Sequence, residues 1–347
     1  MSKGYNNNPN LPREDYIHNF TQHELDEYIL CVNDPIYFAT KYMKIINVDR
    51  GLMPFEMWDF QKDMLQTFHD NRFSICKLPR QVGKTTTSVA FLLHYILFNE
   101  NVNIAILANK SSTAREILGR LQLAFEYLPR FLQQGVKEWN KGSIELANGS
   151  RAVADSTSGS SVRGRSFNVI FLDEFAFVPN NIAEAFFMST YPTISSGKTT
   201  KVIIVSTPNG LNLFYRMWTE ALEQRSLYKP IEIHWSMVPG RDEEWKEETI
   251  RNTSPDQFRQ EFECEFIGST NTLIHPVKLR SLVWHNPIRQ EGKLDIYKDP
   301  VPGRTYTMTV DVAEGQGLDY STFSIIDVTE IPYRLVAKYR NNQISPL

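Results

Sequence analysis

Arg80-Gln81-Val82-Gly83-Lys84-Thr85-Thr86 is the stretch that decides the fold. It lies between the apolar run Phe73-Ser74-Ile75-Cys76-Lys77-Leu78 and a helix-like stretch that continues to Tyr95. A strand, a tight turn and a helix start would bring backbone N–H groups and the positive end of a helix to a polyphosphate. The stretch is similar to the G-x-x-x-x-G-K-[ST] phosphate loop, although Leu78 stands where the first glycine belongs. Lys84 is therefore predicted to reach the β- and γ-phosphates, and the Thr85 hydroxyl to bind Mg²⁺.

A pair of carboxylates supports this interpretation. Asp173-Glu174 follows the apolar run Asn168-Val169-Ile170-Phe171-Leu172, which is typical of a buried strand. Asp173 is predicted to hold the Mg²⁺ shell, and Glu174 to orient or deprotonate the attacking water. A lone Gly-Lys-Thr matches by chance, and Asp-Glu after a strand is commonly a helix cap. Together the two motifs predict a site that hydrolyses a nucleoside triphosphate.

Two arginines are candidates for the charge that stabilises the transferred phosphate. Arg80 lies inside the phosphate loop, where its guanidinium would act on the γ-phosphate of its own subunit. The alternative for Arg80 is a structural salt bridge at the rim of the loop. Arg163, in Ser161-Val162-Arg163-Gly164-Arg165, would serve the nucleotide of a neighbouring subunit, or it belongs to a solvated basic loop.

Further residues are predicted to contact the nucleotide. Gln61 could pair with an adenine edge while Phe60 stacks on the base, the alternative being a core aromatic beside an exposed glutamine. Thr207, in Ser206-Thr207-Pro208-Asn209-Gly210, could sense the γ-phosphate, or the same letters form a turn that starts a helix. The predicted nucleotide-binding set is Phe60, Gln61, Arg80, Gln81, Val82, Gly83, Lys84, Thr85, Thr86 and Thr207.

Short apolar runs alternate with amphipathic stretches over most of the chain. Strands are predicted at 73–78, 102–107, 169–172, 202–205 and 231–235, with helical stretches such as 112–128 and 211–225 between them. This alternation predicts an α/β fold, a parallel sheet with helices on both faces. Asn148-Gly149 predicts a hairpin turn within 143–154. Segments 16–60 and 240–285 are predicted to be mainly helical and to form a small lid.

The character of the chain changes near its end. Residues 299–305 carry Pro300, Pro302 and Gly303 and are predicted to be a linker. Residues 1–298 would form the nucleotide domain with its lid. Residues 306–347 contain three further strand patterns, 306–311, 321–327 and 334–339, which predict the start of a second domain.

Composition excludes several classes of protein. The 347 residues are 41% hydrophobic and 22% charged, as in ordinary globular proteins, and the net charge is −3 with a pI near 6.2. A global basic field that would attract nucleic acid is therefore absent. The three cysteines form no C-x-x-C pair, and no apolar run reaches the length of a membrane span. The chain is predicted to be intracellular.

At these motifs the chain resembles the large terminase subunit of tailed bacteriophages, closest to the contractile-tailed kind. The resemblance covers most of the chain in family order, and the missing first glycine is normal in that family. The matching pieces are Phe60-Gln61, residues 80–86, Arg163-Gly164-Arg165-Ser166-Phe167-Asn168, residues 173–179, Ser206-Thr207-Pro208-Asn209-Gly210 and residues 311–321.

The resemblance implies a motor that uses ATP and Mg²⁺ to pump viral double-stranded DNA into a procapsid. It implies a homo-oligomeric ring docked on a portal protein, a small terminase subunit as partner, and a location in the host cytoplasm and transiently at the portal, outside the mature virion. It also implies an RNase H-like nuclease domain that uses Mg²⁺ or Mn²⁺. Asp311 matches its first metal-binding carboxylate, with Glu314 and Asp319 nearby, and the other ligands are expected beyond residue 347, so that this chain would hold only the first strands of the nuclease and be inactive as one.

Two alternatives remain open from the residues. A nucleic-acid helicase of the Asp-Glu-box type would also use Gln61, the phosphate loop and Asp173-Glu174, but it needs a second motor domain of comparable size. A regulator with a degenerate nucleotide site is disfavoured because Lys84, Thr85, Asp173 and Glu174 are all present. ATP turnover would separate that regulator from the two enzymes.

Overall fold

The computed structural model describes residues 4–158, 166–267, 285–313 and 319–344. It divides into two compact units, 1–276 and 277–347. Among the described residues, no helix combines the length and the apolar character that crossing a bilayer requires. The helices and strands are α1 Gln22–Asn33, α2 Pro35–Tyr42, β1 Lys44–Asn47, β2 Gly51–Pro54, α3 Asp59–Asp70, β3 Phe73–Lys77, α4 Lys84–Phe98, β4 Asn103–Ala108, α5 Ser111–Glu126, β5 Val136–Trp139, β6 Ser143–Leu146, β7 Arg151–Ser156, β8 Val169–Asp173, α6 Asn180–Ser196, β9 Lys201–Ser206, α7 Leu213–Leu222, β10 Lys229–Glu232, α8 Glu243–Asn252, α9 Pro255–Glu261, β11 Arg289–Glu291, β12 Leu294–Ile296, β13 Tyr306–Asp311, β14 Ser321–Asp327 and β15 Arg334–Asn341.

The first unit is built on an eight-stranded sheet in the order β10-β3-β9-β8-β4-β7-β6-β5. The six strands from β10 to β7 run parallel, whereas β6 and β5 pair antiparallel at the edge. The α/β prediction is confirmed, but the sheet is mixed rather than wholly parallel. The chain turns back at the predicted Asn148-Gly149, where Gly149 has a φ of 78° that favours glycine.

Both faces of the sheet are covered, as predicted. All five residues of β8 are buried, which explains why this strand is continuously apolar instead of alternating. Helices α4 and α5 pack on one face with Phe91 and Leu121 in a shared core. On the other face, Phe186 of α6 and Phe214 of α7 belong to a second core.

The N-terminal helical segment differs from its prediction. Residues 16–60 contain α1 and α2, but residues 44–54 form an antiparallel hairpin in which Lys44 pairs with Pro54. Gly51, at a φ of 69°, begins the return strand of this hairpin. Helix α2 packs against α3 and α4, whereas α8 packs against α9, so the two segments assigned to one lid lie against different elements.

Strand β10 also differs from its prediction. It covers Lys229–Glu232 and ends before the predicted strand 231–235 does, because the His234 side chain accepts a hydrogen bond from Ser236 N–H and caps a short helical turn at Trp235. The remaining predicted strands of this sheet are present within one or two residues.

The second unit is a five-stranded antiparallel sheet in the order β11-β12-β15-β14-β13. Strands β13, β14 and β15 lie where three strands were predicted. Strands β11 and β12 were not predicted, and Ile296 of β12 pairs with Ala337 of β15. Residues 289–296 therefore belong to the second unit, and the boundary lies before the predicted linker 299–305 instead of within it.

Candidate nucleotide site

The phosphate loop links the end of β3 to the start of α4, as the sequence predicted. Gly83 caps α4 with a φ of 73°, and a Cβ at this position would overlap the side-chain amide of Gln61. Only glycine satisfies both demands. Leu78, which replaces the first glycine of the general motif, is fully buried in the core, and its N–H donates to the carbonyl of Ser206 at 3.0 Å.

Lys84 and Glu174 meet across the site. Lys84 is the first residue of α4, and its Nζ donates to Oε1 of Glu174. Glu174 follows β8 in the left-handed region, with φ 50° and ψ 41°, a conformation that a non-glycine residue adopts only under local constraint. The ion pair brings together two residues that the sequence assigned to phosphate binding and to water activation. Thr85 and Thr86 follow Lys84 in the first turn of α4 and are half-buried.

Asp173 lies at the end of β8 and is buried. Burial raises the pKa of its carboxyl to about 6; the charge of Lys84 opposes this effect and the charge of Glu174 adds to it. Within the ranges that the structure describes, its Oδ1 has no hydrogen-bond partner. A buried carboxylate oxygen without a partner is costly unless a cation or an ordered water completes it, so this donor fits a hard divalent cation.

The loop after β9 closes another side of the site. Thr207 is fully buried, and among the described residues its hydroxyl has no hydrogen-bond partner. Ser206 Oγ accepts from Ala176 N–H at 3.0 Å, which ties this loop to the segment after Glu174. Asn209 reinforces the tie by donating from Nδ2 to the Ala176 carbonyl at 3.2 Å.

Phe60 and Gln61 lie beneath the phosphate loop. Both are buried, and Phe60 contacts the ring of Trp58. Gln61 Nε2 donates to the Val82 carbonyl at 3.1 Å, and its Oε1 accepts from Trp58 N–H at 3.0 Å. The alternative in which Gln61 is exposed is thus wrong. Its amide supports the loop backbone in this structure, and its pairing with a base stays a prediction.

The two arginines have different outcomes. Arg80 forms an ion pair with Glu261 of α9, with Nε 2.5 Å from Oε2, and this pair raises the pKa of Arg80 above its ordinary value. The rim salt bridge is therefore present, and Glu261 and its neighbour Arg241 were not singled out from the sequence. Arg163 lies outside the described residues.

A groove of about 530 Å³ lies next to the phosphate loop. It is bounded by the β1–β2 hairpin with Ile45 and Val48, by Thr86 at the start of α4, and by Gly119 and Arg120 of α5. Its lining is mainly apolar with a few polar groups, as in small-molecule sites, and its size is in their usual range. The sequence pattern did not indicate this groove because the hairpin was predicted to be helical.

Asp311 ends β13 in the second unit, and its residue is exposed. Glu314 lies outside the described residues. Within the described ranges, no group of three or more His, Cys, Asp or Glu side chains is placed to hold a metal ion.

Comparison with known proteins decides the family. The model of the family "Terminase large subunit, T4likevirus-type, N-terminal" matches residues 75–280, which include the phosphate loop and the carboxylate pair. The chain belongs to the large terminase subunit family. The large terminase subunit of Escherichia phage T5 is 30% identical over 200 residues, covering 56% of this chain and 44% of the T5 protein. The resemblance seen in the sequence is thus confirmed.

Solved structures share the fold. The large terminase of bacteriophage HK97 aligns with a TM-score of 0.60 at 16% identity, covering 88% of this chain and 67% of that chain. A point mutant of the large terminase ATPase domain of Thermus phage P74-26 aligns with a TM-score of 0.52 at 22% identity, covering 61% and 95%. The large terminase of a thermophilic bacteriophage, in complex with ADP, aligns with a TM-score of 0.50 at 14% identity, covering 82% and 68%. This terminase chain spans less than half the length of the T5 relative.

Proposed function

We propose that this terminase chain hydrolyses ATP and that the hydrolysis drives viral double-stranded DNA into a procapsid. One observation carries the proposal: Lys84, Asp173 and Glu174 converge at the edge of the sheet where a glycine-capped helix begins. The thermophilic-phage terminase of the same fold is described in complex with ADP. A helicase is not favoured, since the family model and the relatives are terminases.

Each residue has a proposed task. Lys84 binds the β- and γ-phosphates and in doing so leaves Glu174, whose carboxylate then orients or deprotonates the attacking water. Thr85 and Asp173 hold Mg²⁺, which neutralises phosphate charge when bound. Thr207, which is buried beside the site, responds to the γ-phosphate, and Arg80 stabilises its developing charge, while Arg163 acts on a neighbouring subunit's nucleotide.

The base of the nucleotide is proposed to lie in the groove between the β1–β2 hairpin, α4 and α5. Thr86 lines this groove and also follows the phosphate-binding Lys84-Thr85, so phosphates and groove are continuous. The amide of Gln61 is already bonded to Val82 and Trp58, which favours the groove over a direct Gln61–base pair.

The wider assembly is also a proposal. A homo-oligomeric ring on a portal protein, with a small terminase subunit and viral DNA as partners, would place the chain in the host cytoplasm and transiently at the procapsid. The second unit would be part of an RNase H-like nuclease that uses Mg²⁺ or Mn²⁺ through Asp311. The order of its strands β13, β14 and β15, all antiparallel, is compatible with that assignment.

The proposed hydrolysis is tested by two variants that separate binding from turnover. Lys84→Ala should weaken both ATP binding and turnover, because it removes the charge that meets the phosphates. Glu174→Gln should retain binding and lose turnover by about 10²-fold or more, since it acts only on the water. Phosphate release and nucleotide titration measure the two effects. Equal turnover in Glu174→Gln and the parent protein would refute the assignment of Glu174.

A further inference from the structure

The phosphate loop is held from outside by the segment 241–263, which contains α8 and α9 and which we call the clamp segment. Arg80 N–H donates to the Glu261 carbonyl at 2.9 Å, and Arg80 Nε donates to Glu261 Oε2 at 2.5 Å. Both terminal nitrogens of Arg241 donate to the Arg80 carbonyl at 3.2 Å, and one also donates to the Gln81 carbonyl at 3.1 Å. The backbone and the side chain of the loop are thus both bound.

The clamp residues are more firmly embedded than the loop residue that they hold. The Glu261 side chain is 13% exposed, whereas the Arg80 side chain is 58% exposed. The Arg241 guanidinium lies 4.7 Å from the ring centroid of Trp245 and 5.6 Å from that of Phe262, and such stacking fixes its plane. Phe258 of α9 is buried. The clamp segment therefore provides a rigid support against which the loop is oriented.

We propose that Glu261 and Arg241 are positioning residues that preorganise the phosphate loop for the reaction proposed above, on which this inference rests. In the described part of the chain, the hydrogen bonds of the Arg80 guanidinium are confined to Nε. A guanidinium is a planar fork of five N–H donors, so a carboxylate that binds Nε fixes the plane and leaves the two terminal nitrogens for a phosphate. Glu261 thereby directs Arg80 without touching the substrate.

Arg241 acts on the backbone of the same loop. In a trans peptide the N–H points opposite to the C=O, so fixing the carbonyls of Arg80 and Gln81 also fixes the N–H groups of Gln81 and Val82 on the other side. Gln81 is held at a φ of 58°, in the left-handed region. Successive N–H groups arranged in this way form a concave anion-binding nest. The stacked Arg241 guanidinium is the group that maintains it.

A double-mutant cycle tests the role of Glu261. Glu261→Ala should lower kcat for ATP about tenfold with KM changed less than about threefold, because Arg80 is expected to act mainly on charge that develops in the transition state. In the Arg80→Ala background the same change should lower kcat by less than about twofold, because its partner is already gone. Glu261→Gln keeps an oxygen that can accept from Nε and should recover part of the lost kcat.

The control is Glu263→Ala, which removes a carboxylate of the same segment that pairs with Lys246 at 3.1 Å. It should leave kcat unchanged. An equal loss from Glu261→Ala with and without Arg80, or an equal loss in Glu263→Ala, would overturn the inference while leaving ATP hydrolysis standing. If Glu261→Ala does not fold, Glu261→Gln and its combination with Arg80→Ala decide by the same criterion. Absence of ATP turnover in the parent chain would instead refute the proposed function itself.

Discussion

At the scale of single residues, the carboxylate pair shows how one turn separates two roles. Asp173 completes the buried end of β8, whereas Glu174 enters the left-handed region and reaches Lys84. A non-glycine residue in that region costs of the order of 1 kcal/mol, which the surrounding structure must offset. Strain of this kind is common at functional sites. The divergence of the two side chains therefore comes from the backbone turn after the strand, in addition to the alternation expected along it.

Burial of Asp173 predicts an unusual dependence of stability on pH. Its folded-state pKa, about 6, lies above the ordinary value of 3.8, so the folded protein binds more protons between these two pH values than the unfolded chain. The stability contribution of this group is therefore full below the lower value and is lost as pH rises through 6. Asp173→Asn should raise the melting temperature at pH 7.5 by a few degrees, corresponding to about 1–3 kcal/mol. The gain should shrink as the pH falls towards 4.

Thermal unfolding without nucleotide or divalent cation, measured from pH 4.5 to 8, checks this expectation. Asp63→Asn makes the same chemical change at an exposed position of α3 and should leave the melting temperature nearly unaltered throughout. A lower melting temperature for Asp173→Asn than for the parent at pH 7.5 would show that the ionised carboxyl is stabilising, contrary to its burial.

Residues within the local strand–turn–helix pattern could be predicted from the sequence, and residues that reach the site from a distance could not. Lys84 and Glu174 were predicted because each follows directly from an apolar strand. Glu261 and Arg241 join the site through α9 and the turn before α8, and no local spacing connects them to Arg80. Their contacts depend on how those helices pack, which the sequence pattern does not specify.

At the scale of elements, the β1–β2 hairpin shows why short edge structure is missed. Its strands are four residues long, and Ile45-Ile46 beside Met43 is compatible with a helix as well as with a strand. The hairpin nevertheless provides one wall of the groove beside Thr86. An incorrect assignment of residues 44–54 thus concealed the proposed base site, although the helices that form its other walls were predicted.

The proposed base site can be tested by filling the groove from α5. Gly119 lines the groove, and a Cβ added there would meet nothing within 4 Å. Gly119→Leu should increase helix stability, since glycine in a helix costs about 0.5–1 kcal/mol relative to alanine. The same side chain should occupy the groove and weaken binding of a slowly hydrolysed ATP analogue about tenfold or more, or about 1.4 kcal/mol.

Gly119→Ala is the matched control because it brings the same gain in helix propensity with a side chain too small to fill the groove. Calorimetric titration should give it nearly the parent affinity, and thermal unfolding should show both variants at least as stable as the parent. Should the leucine variant bind the analogue as tightly as the alanine variant, the base lies elsewhere.

At the scale of the whole molecule, the sequence predicted two units but not where they divide. The alternation of buried strands with amphipathic helices was sufficient for the first sheet, since strands covered on both faces are continuously apolar. Strand β11 is Arg289-Gln290-Glu291 and is exposed throughout, so it carries no apolar signal at all. It was therefore assigned to the wrong unit. Pairing of β12 with β15, far along the chain, is what defines the second sheet.

The second unit leads to a prediction about DNA cleavage by the 347-residue chain. Cleavage by two metal ions needs several carboxylates that hold the ions about 4 Å apart, and in the described ranges no three candidate ligands are grouped, Asp311 being exposed at the end of β13. Incubating the purified protein with plasmid DNA and Mg²⁺ or Mn²⁺ should leave the DNA uncut, and Asp311→Ala should behave identically. ATP turnover measured on the same preparation shows that the protein is active. Metal-dependent cutting that disappears in Asp311→Ala would mean that other residues complete the acidic site.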